Sequence, residues 1–519
     1  MAKLGMGNFH ICILQLIAVS YLLSCSEGGL VSRKHFPIGF LFGTASSAYQ
    51  YEGATNVDGR GASIWDSFTR THPEKIADHS SGDVADEFYY HYKDDIALMK
   101  YIGFDSFRFS ISWPRLIPGG KISGGVNQKG VQFYNNLIDG LLSNGLQPLV
   151  TLFHWDLPQA LEDEYGGFLG PQIVNDYRDY VDFCFKEFGD RVKHWITFNE
   201  PNIFAKFGYD NGTTAPGRCS SFAGNCTAGN SGTEPYIVVH HIILAHANAV
   251  KLYKDKYQVS QKGIIGITVM CHWMVPKFET PASHKAASRA LDFLFGWIVD
   301  PIMLGDYPET MQFFVGSRLP KFTEEQSTLV KGSLDFLGLN YYTAKYAEEA
   351  TTTHSSYVNV SYSTDSHVNT TDEKNGIPIG QPTAANWLHV YPMGIEDLTL
   401  YVKRKYNNPP MYITENGVVD RNASLMLKDA LNDSLRINYH HHHLLYLSKA
   451  IEAGADVRGY YVWSFLDNFE WGSGYTLRFG IIYVDYKNKL RRYLKDSALW
   501  FKKFLQKDRC NQTKAFTEL

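Results

Sequence analysis

Two glutamates stand where apolar runs stop. Val192-Lys193-His194-Trp195-Ile196 leads into Thr197-Phe198-Asn199-Glu200-Pro201. The run reads as a short buried strand, and a proline cannot continue its ladder, so Glu200 falls at the junction of strand and loop. Met411-Tyr412-Ile413-Thr414 is a second such run, and Glu415 closes it directly before the turn pair Asn416-Gly417. Taken singly, either acid could simply face water or pair with a surface cation. Taken together they suggest a specific chemistry. Cleavage of a glycosidic bond needs one carboxyl group protonated, to donate to the leaving oxygen, and another ionised, to meet the developing oxocarbenium ion.

The elements that must position these acids can be counted. Eight short strand-like segments occur: Phe40 to Ala45, Ser106 to Ile111, Pro148 to Phe153, His194 to Phe198, Ile264 to Met270, Phe336 to Asn340, Met411 to Thr414 and Gly459 to Trp463. Nearly all are followed by apolar residues at helical spacing, such as Phe133, Leu137, Ile138, Leu141 and Leu142, or Ile242, Ile243, Ala245, Val250 and Leu252. Strands alternating with helices imply crossover units and a parallel sheet. Eight such units point to an α/β fold, a single (β/α)8 TIM barrel with elaborated βα loops at the C-terminal face of its strands. No Gly-x-Gly-x-x-Gly fingerprint opens a helix, which counts against a dinucleotide-binding sheet. In such a barrel the strand ends converge on one mouth. Strand three leads into His154-Trp155, strand six into Asn340-Tyr341-Tyr342, and strand eight into the stretch from Trp463 to Trp471. The longest irregular region, Glu348 to Pro392, follows strand six and is expected to hang over that mouth.

Composition narrows the partners. A formal net charge of -4 gives no basic footprint for nucleic acid and no polybasic membrane patch. The first 26 residues read as a secretory signal peptide, with Lys3, an apolar stretch from Ile11 to Leu23 and a small-x-small site at Ser24-Cys25-Ser26. The stretch is too short to span a bilayer, so residues 27–519 are expected as one soluble catalytic domain, with no membrane contact after cleavage. The destination expected is the apoplast or a vacuole, since the terminal Phe516-Thr517-Glu518-Leu519 lacks a retrieval signal. Of seven cysteines, Cys12 and Cys25 leave with the signal; Cys219 and Cys226 flank a Ser/Gly/Asn-rich loop and are the expected disulfide, while Cys184 and Cys271 lie in apolar segments. Glycosylation sequons begin at Asn211, Asn225, Asn359, Asn369, Asn422, Asn432 and Asn511. The run His440 to His443 lies within a helical pattern, where only His440 and His443 share a face, and reads as a surface turn of helix rather than a metal site. No metal and no cofactor are expected.

At this point the motifs carry a resemblance. The chain resembles glycoside hydrolase family 1, and within it the plant β-glucosidases, from about Phe36 to about Leu505. The match includes Phe42-Gly43-Thr44-Ala45-Ser46-Ser47-Ala48-Tyr49-Gln50 and Phe107-Arg108-Phe109-Ser110-Ile111-Ser112-Trp113-Pro114-Arg115, together with the two glutamate motifs and the segment after strand eight. The resemblance implies a retaining mechanism, with Glu415 as nucleophile and Glu200 as acid and then base. It implies that Arg108, Tyr342 and Asn340 support the nucleophile and that Asn199 meets the sugar 2-hydroxyl. Gln50, His154, Trp155, Tyr342, Glu470, Trp471 and Phe479 complete the implied glucose pocket, with Trp463 as its stacking floor. Trp387 is similar to the family's aglycone-stacking tryptophan, and Phe207 and Thr214 occupy positions lining the same outer cleft. Relatives that cut thioglucosides carry glutamine at the acid position; Glu200 favours an oxygen leaving group. The implied substrate is a small-molecule β-glucoside of a plant secondary metabolite. Transglucosylation through the same intermediate, a disaccharide glycone admitted beside Gly472 and a homodimer are compatible with the sequence, whereas the presence of both acids argues against a sugar-binding protein without catalysis.

Overall fold

The computed structural model describes residues 31–350, 359–421 and 426–506. The signal stretch, Asn422, Asn511 and Cys510 lie outside the described residues. Eight parallel strands close on themselves: β1 (Leu41–Ala45), β2 (Ser106–Ser110), β3 (Gln147–Phe153), β4 (His194–Asn199), β5 (Ile264–Met270), β6 (Phe336–Asn340), β7 (Met411–Asn416) and β8 (Val457–Val462). Each pairs with its neighbours in sequence, and β1 meets β8 through Leu41 opposite Gly459 and Phe42 opposite Tyr460. Every strand expected from the sequence is present, with ends within two residues of the apolar runs.

A helix follows each strand and covers its outer face: α1 (Phe88–Ile102), α2 (Gln128–Ser143), α3 (Ile173–Phe188), α4 (Glu234–Tyr253), α5 (Trp297–Leu304), α6 (Met393–Lys405), α7 (Ser434–Glu452) and α8 (Asp496–Phe504). In α2 the Asn127 side chain accepts the Lys129 N–H, satisfying one of the donors a helix start leaves open. Val131, Leu137, Ile138 and Leu141 then turn one face into the core. Leu142, expected on that face, is instead exposed, because the residue beside Leu141 is rotated about 100° around the helix.

The barrel interior is filled by Leu149, Ile196, Phe336, Tyr412 and Tyr461, a cluster separate from the larger one between strands and helices. The Tyr461 ring needs room beside β1, and a Cβ on Gly43 would lie 2.3 Å from it. Glycine is therefore required there.

Two expectations are corrected. His440 and His443 do not lie on a surface turn: α7 sets both against the barrel, where they are fully buried. His440 Nδ1 meets the Tyr460 hydroxyl at 2.7 Å and His443 Nδ1 meets the Tyr439 carbonyl at 2.7 Å. Burial holds both imidazoles neutral. The shared face that the spacing gave them is the core face. Among the described residues no group of three or more His, Cys, Asp and Glu side chains could hold a metal ion. The Glu348 to Pro392 region is not simply irregular. Ala344–Glu349 pairs with Trp273–Pro276 and Val368–Thr371, and two further short hairpins follow. Strands of two to four residues are too short to display a period of two among Ser, Thr and Asn.

Cys219 and Cys226 form the expected disulfide, with Cα atoms 5.5 Å apart, and Cys184 and Cys271 are buried free thiols. Asn225, Asn359, Asn369 and Asn432 are exposed and Asn211 is half-buried. Among the described residues no helix is long and apolar enough to cross a membrane.

Candidate active site

Breaks in strand register turn Asn199 and Glu415 toward the barrel mouth. In β4, Ile196 points into the barrel, Thr197 bonds His246 of α4, and Phe198 stacks on Tyr177 of α3. Two successive residues thus face outward, and the pairing with β5 shifts between Ile196 and Asn199. Asn199 is thereby turned inward. In β7, Tyr412 and Thr414 face the interior, and the pairing with β6 shifts between Ile413 and Glu415. That shift brings Glu415 inward as well, where strict alternation would aim it at the helices. Asn416 then faces out, donating to the Tyr439 hydroxyl and accepting from that of Tyr460. A Cβ on Gly417 would fall 1.8 Å from the Trp463 carbonyl oxygen, so only glycine lets the ends of β7 and β8 close together.

Glu200 precedes the short helix Pro201–Ala205 in a left-handed conformation, φ 49°. Its carboxylate makes no capping bond to that helix; Oε1 accepts from Asn340 Nδ2 at 2.6 Å. Trp155 and Trp471 also have positive φ, 76° and 50°. Uncommon backbone of this kind costs energy and persists where the surroundings impose it.

Glu415 is held differently. Arg108 Nη1 donates to Oε1 at 2.6 Å and the Tyr342 hydroxyl donates to Oε2 at 2.5 Å. The same guanidinium donates through Nη2 to Asn199 Oδ1 at 2.6 Å, which also accepts from Asn340 Nδ2 at 3.1 Å. Asn199 Nδ2 donates to His154 Nε2 at 3.0 Å. An amide nitrogen can only donate, so Nε2 of the neutral His154 ring is the acceptor and Nδ1 carries the proton. Nδ1 has no partner among the described residues. Burial, reinforced by Arg108, keeps that ring neutral.

The electrostatics separate the two acids. Burial first, then the Glu415 charge, pushes the Glu200 pKa up to about 8, against lowering by Asn340 and Arg108. Burial raises Glu415 too, but Arg108 and then the Tyr342 hydrogen bond draw it back down. Glu470 is pushed up to about 8, chiefly by burial, and its Oε1 has no partner among the described residues. A buried oxygen without a donor is suited to a ligand hydroxyl.

These groups open on a cavity of about 830 Å³. His154, Trp155, Asn199, Glu200, Tyr342, Trp387, Glu415, Trp463, Glu470, Trp471 and Phe479 all line it, as do Phe207, Thr214 and Gly472. Trp155 packs against Trp471 with ring centres 4.7 Å apart, and Trp463 lies nearly parallel to His154 at 5.9 Å. Trp387 is 40% exposed at the rim, 5.8 Å from Tyr342. Three expected residues stand behind the wall rather than on it. Arg108 and Asn340 reach the acids from there; Gln50 Nε2 donates to Asn468 Oδ1 and the Phe469 carbonyl, bracing the segment that carries Glu470. Sequence reasoning did not find Lys206, His272, Phe293, Leu294 or Lys345, which line the outer half of the cavity. Only Lys206, six residues after Glu200, had a positional signal.

A family model, glycosyl hydrolase family 1, matches residues 32–510. "Beta-glucosidase 17" of Arabidopsis thaliana is 60% identical over 476 residues, covering 92% of each chain. "Raucaffricine-O-beta-D-glucosidase" of Rauvolfia serpentina is 52% identical, covering 93% of each. Among solved structures, a rice β-glucosidase mutant in a covalent complex with Glc from GA4GE superposes with a TM-score of 0.91 at 51% identity, covering 92% of this chain and all of that one.

Proposed function

The chain belongs to glycosyl hydrolase family 1 and is a β-glucosidase of the retaining class; from that premise we propose that Glu415 is its nucleophile, Glu200 its acid and base, and O-β-D-glucosides of plant secondary metabolites its substrates. In the first step a Glu415 oxygen bonds to the anomeric carbon as the bond to the leaving oxygen breaks, and the Glu200 proton passes to that oxygen. In the second, Glu200 takes a proton from water, the water oxygen bonds to the anomeric carbon, and Glu415 departs as carboxylate. The neutral His154 and the orphan oxygen of Glu470 are fitted to sugar hydroxyls, and Trp463 to the apolar face of the ring.

The observation that carries the assignment is the division of donors. Arg108 and Tyr342 both converge on Glu415, while among the described residues Glu200 receives only the neutral Asn340 amide. Glu415→Gly should abolish turnover, and added azide should restore it with formation of α-glucosyl azide. Unaffected turnover, or a β product, would remove Glu415 from the role.

The same reading extends to the chain as a whole. Residues 1–26 are a cleaved leader and 27–519 one catalytic domain that passes through the secretory pathway to the apoplast or a vacuole. The disulfide suits an oxidising compartment, and four exposed sequons offer glycan sites. N-terminal sequencing of the mature protein and its mass before and after deglycosylation test these points.

A further inference from the structure

Beyond the sugar pocket the cavity changes character. Its described lining includes Lys75, Lys206 and Lys345, and its only acids are Glu200, Glu415 and Glu470 of the inner pocket. Lys206 begins a π-helical turn, Lys206–Asp210, that continues the helix from Glu200. Lys206 and Phe207, neighbours in sequence, both line the cavity.

Lys206 is half-buried, and its ammonium makes no hydrogen bond or ion pair with another described residue; it lies 5.7 Å from the centre of the Phe207 ring. Asp210 acts on it through space but is itself bound to Ser363 Oγ at 2.5 Å. Lys345 and Lys75 differ: Lys345 is paired with Asp372, and Lys75 donates to the Gly212 carbonyl at 2.6 Å. His272 lies within reach of both Lys206 and Lys345, whose charges add to burial in keeping its ring neutral. Its Nδ1 has no partner among the described residues. Around these polar groups the wall is apolar, with Met274, Phe293, Leu294 and Trp387.

We propose that the outer cleft selects aglycones with an apolar body that carry an anion, a carboxylate above all, bound by the Lys206 ammonium with His272 beside it. The proposal rests on the β-glucosidase reading of the inner pocket. A half-buried ammonium with no directly bonded counter-charge among the described residues is disfavoured, and an anionic aglycone relieves this while a neutral one leaves it in place. The walls fix the ring, and the charge fixes its orientation.

The test compares 4-carboxyphenyl β-D-glucoside with its methyl ester on the full-length protein. Leaving-group acidity cancels when the acid-to-ester ratio of kcat/KM is compared between variants. Lys206→Met should lower that ratio about tenfold, mostly through KM, because a hydrogen-bonded charge pair is worth about 1.5 kcal/mol or more. Lys206→Arg should recover most of the loss, and added salt should lower the wild-type ratio. A Lys206→Met ratio within about twofold of wild type would overturn the proposal, with ester turnover reporting that the variant is folded. Absence of turnover with either glucoside would overturn the β-glucosidase reading itself, a distinguishable failure.

Discussion

The alkaline limit of activity should belong to Glu200. Its pKa of about 8 reflects burial first and the Glu415 charge second. At pH 6.5 an ordinary glutamate would be protonated in about 1% of molecules, whereas one with a pKa near 8 is protonated in about 97%. On the proposed assignment, the environment therefore raises the population of protonated Glu200 about a hundredfold at mildly acidic pH. Since kcat/KM reports the free enzyme, it should fall tenfold per pH unit above about 8. Glu200→Gln should remove that limb. It should also depress kcat/KM by about 10²- to 10⁴-fold for an alkyl glucoside, whose leaving oxygen needs the proton, and far less for a dinitrophenyl glucoside. An alkaline limb below pH 6, a limb that survives in Glu200→Gln, or an equal loss for both leaving groups would refute the reasoning.

The same shift carries a stability signature with a definite sign. The folded-state pKa is raised, so between about 4.5 and about 8 the unfolded chain binds fewer protons than the folded one. Stability contributed by this group is present below the unfolded value and falls as pH rises through that window. Wild type should therefore lose stability relative to Glu200→Gln between pH 5 and pH 8, by on the order of a few kcal/mol. Denaturant midpoints at the two pH values would check it.

Two further perturbations probe the supports. Tyr342→Phe keeps the ring against Phe479 but removes the 2.5 Å donor to Glu415; kcat/KM should fall about 10- to 150-fold, as for loss of a hydrogen bond to a charged group, and a change below threefold in steady-state assays would exclude the hydroxyl from supporting Glu415. Replacing Cys219 and Cys226 together by serine opens a loop with a sequence separation of 7, for which the chain-entropy model gives about 2 to 3 kcal/mol; an unchanged denaturation midpoint would contradict it.

The fold was legible because most barrel strands are apolar runs of five to seven residues and helices such as Gln128–Ser143 keep a clear period. The position of the two glutamates at strand ends was legible because Pro201 and Asn416-Gly417 mark where the strands end. Their direction was not. Alternation from Tyr412 predicts Glu415 on the helix side, and only the shifted pairing with β6, a property of two strands at once, turns it inward. The histidine run shows the converse: spacing identified the shared face of His440 and His443 but not what that face meets. The outer cleft was hardest to read, because Lys206, His272, Phe293 and Lys345 come from connections after three different strands, with no common motif.

One guanidinium among three buried carboxyl groups decides the order of events. Glu200, Glu415 and Glu470 share a cavity, and each is made reluctant to ionise by burial. Among the described residues Arg108 supplies the only full positive charge in direct contact with any of them, and it contacts Glu415. The Tyr342 phenol, held far above its usual pKa, adds a second donor to the same carboxylate. On the proposed assignment the negative charge therefore resides on Glu415, and that charge keeps the proton on Glu200. Esterification of Glu415 removes it. The second-largest cause of the raised Glu200 pKa then vanishes while the lowering by Asn340 and Arg108 remains, so Glu200 releases its proton more readily just when water must be activated. The switch from acid to base thus requires no movement of the fold, only the disappearance of one charge from a site built to hold one.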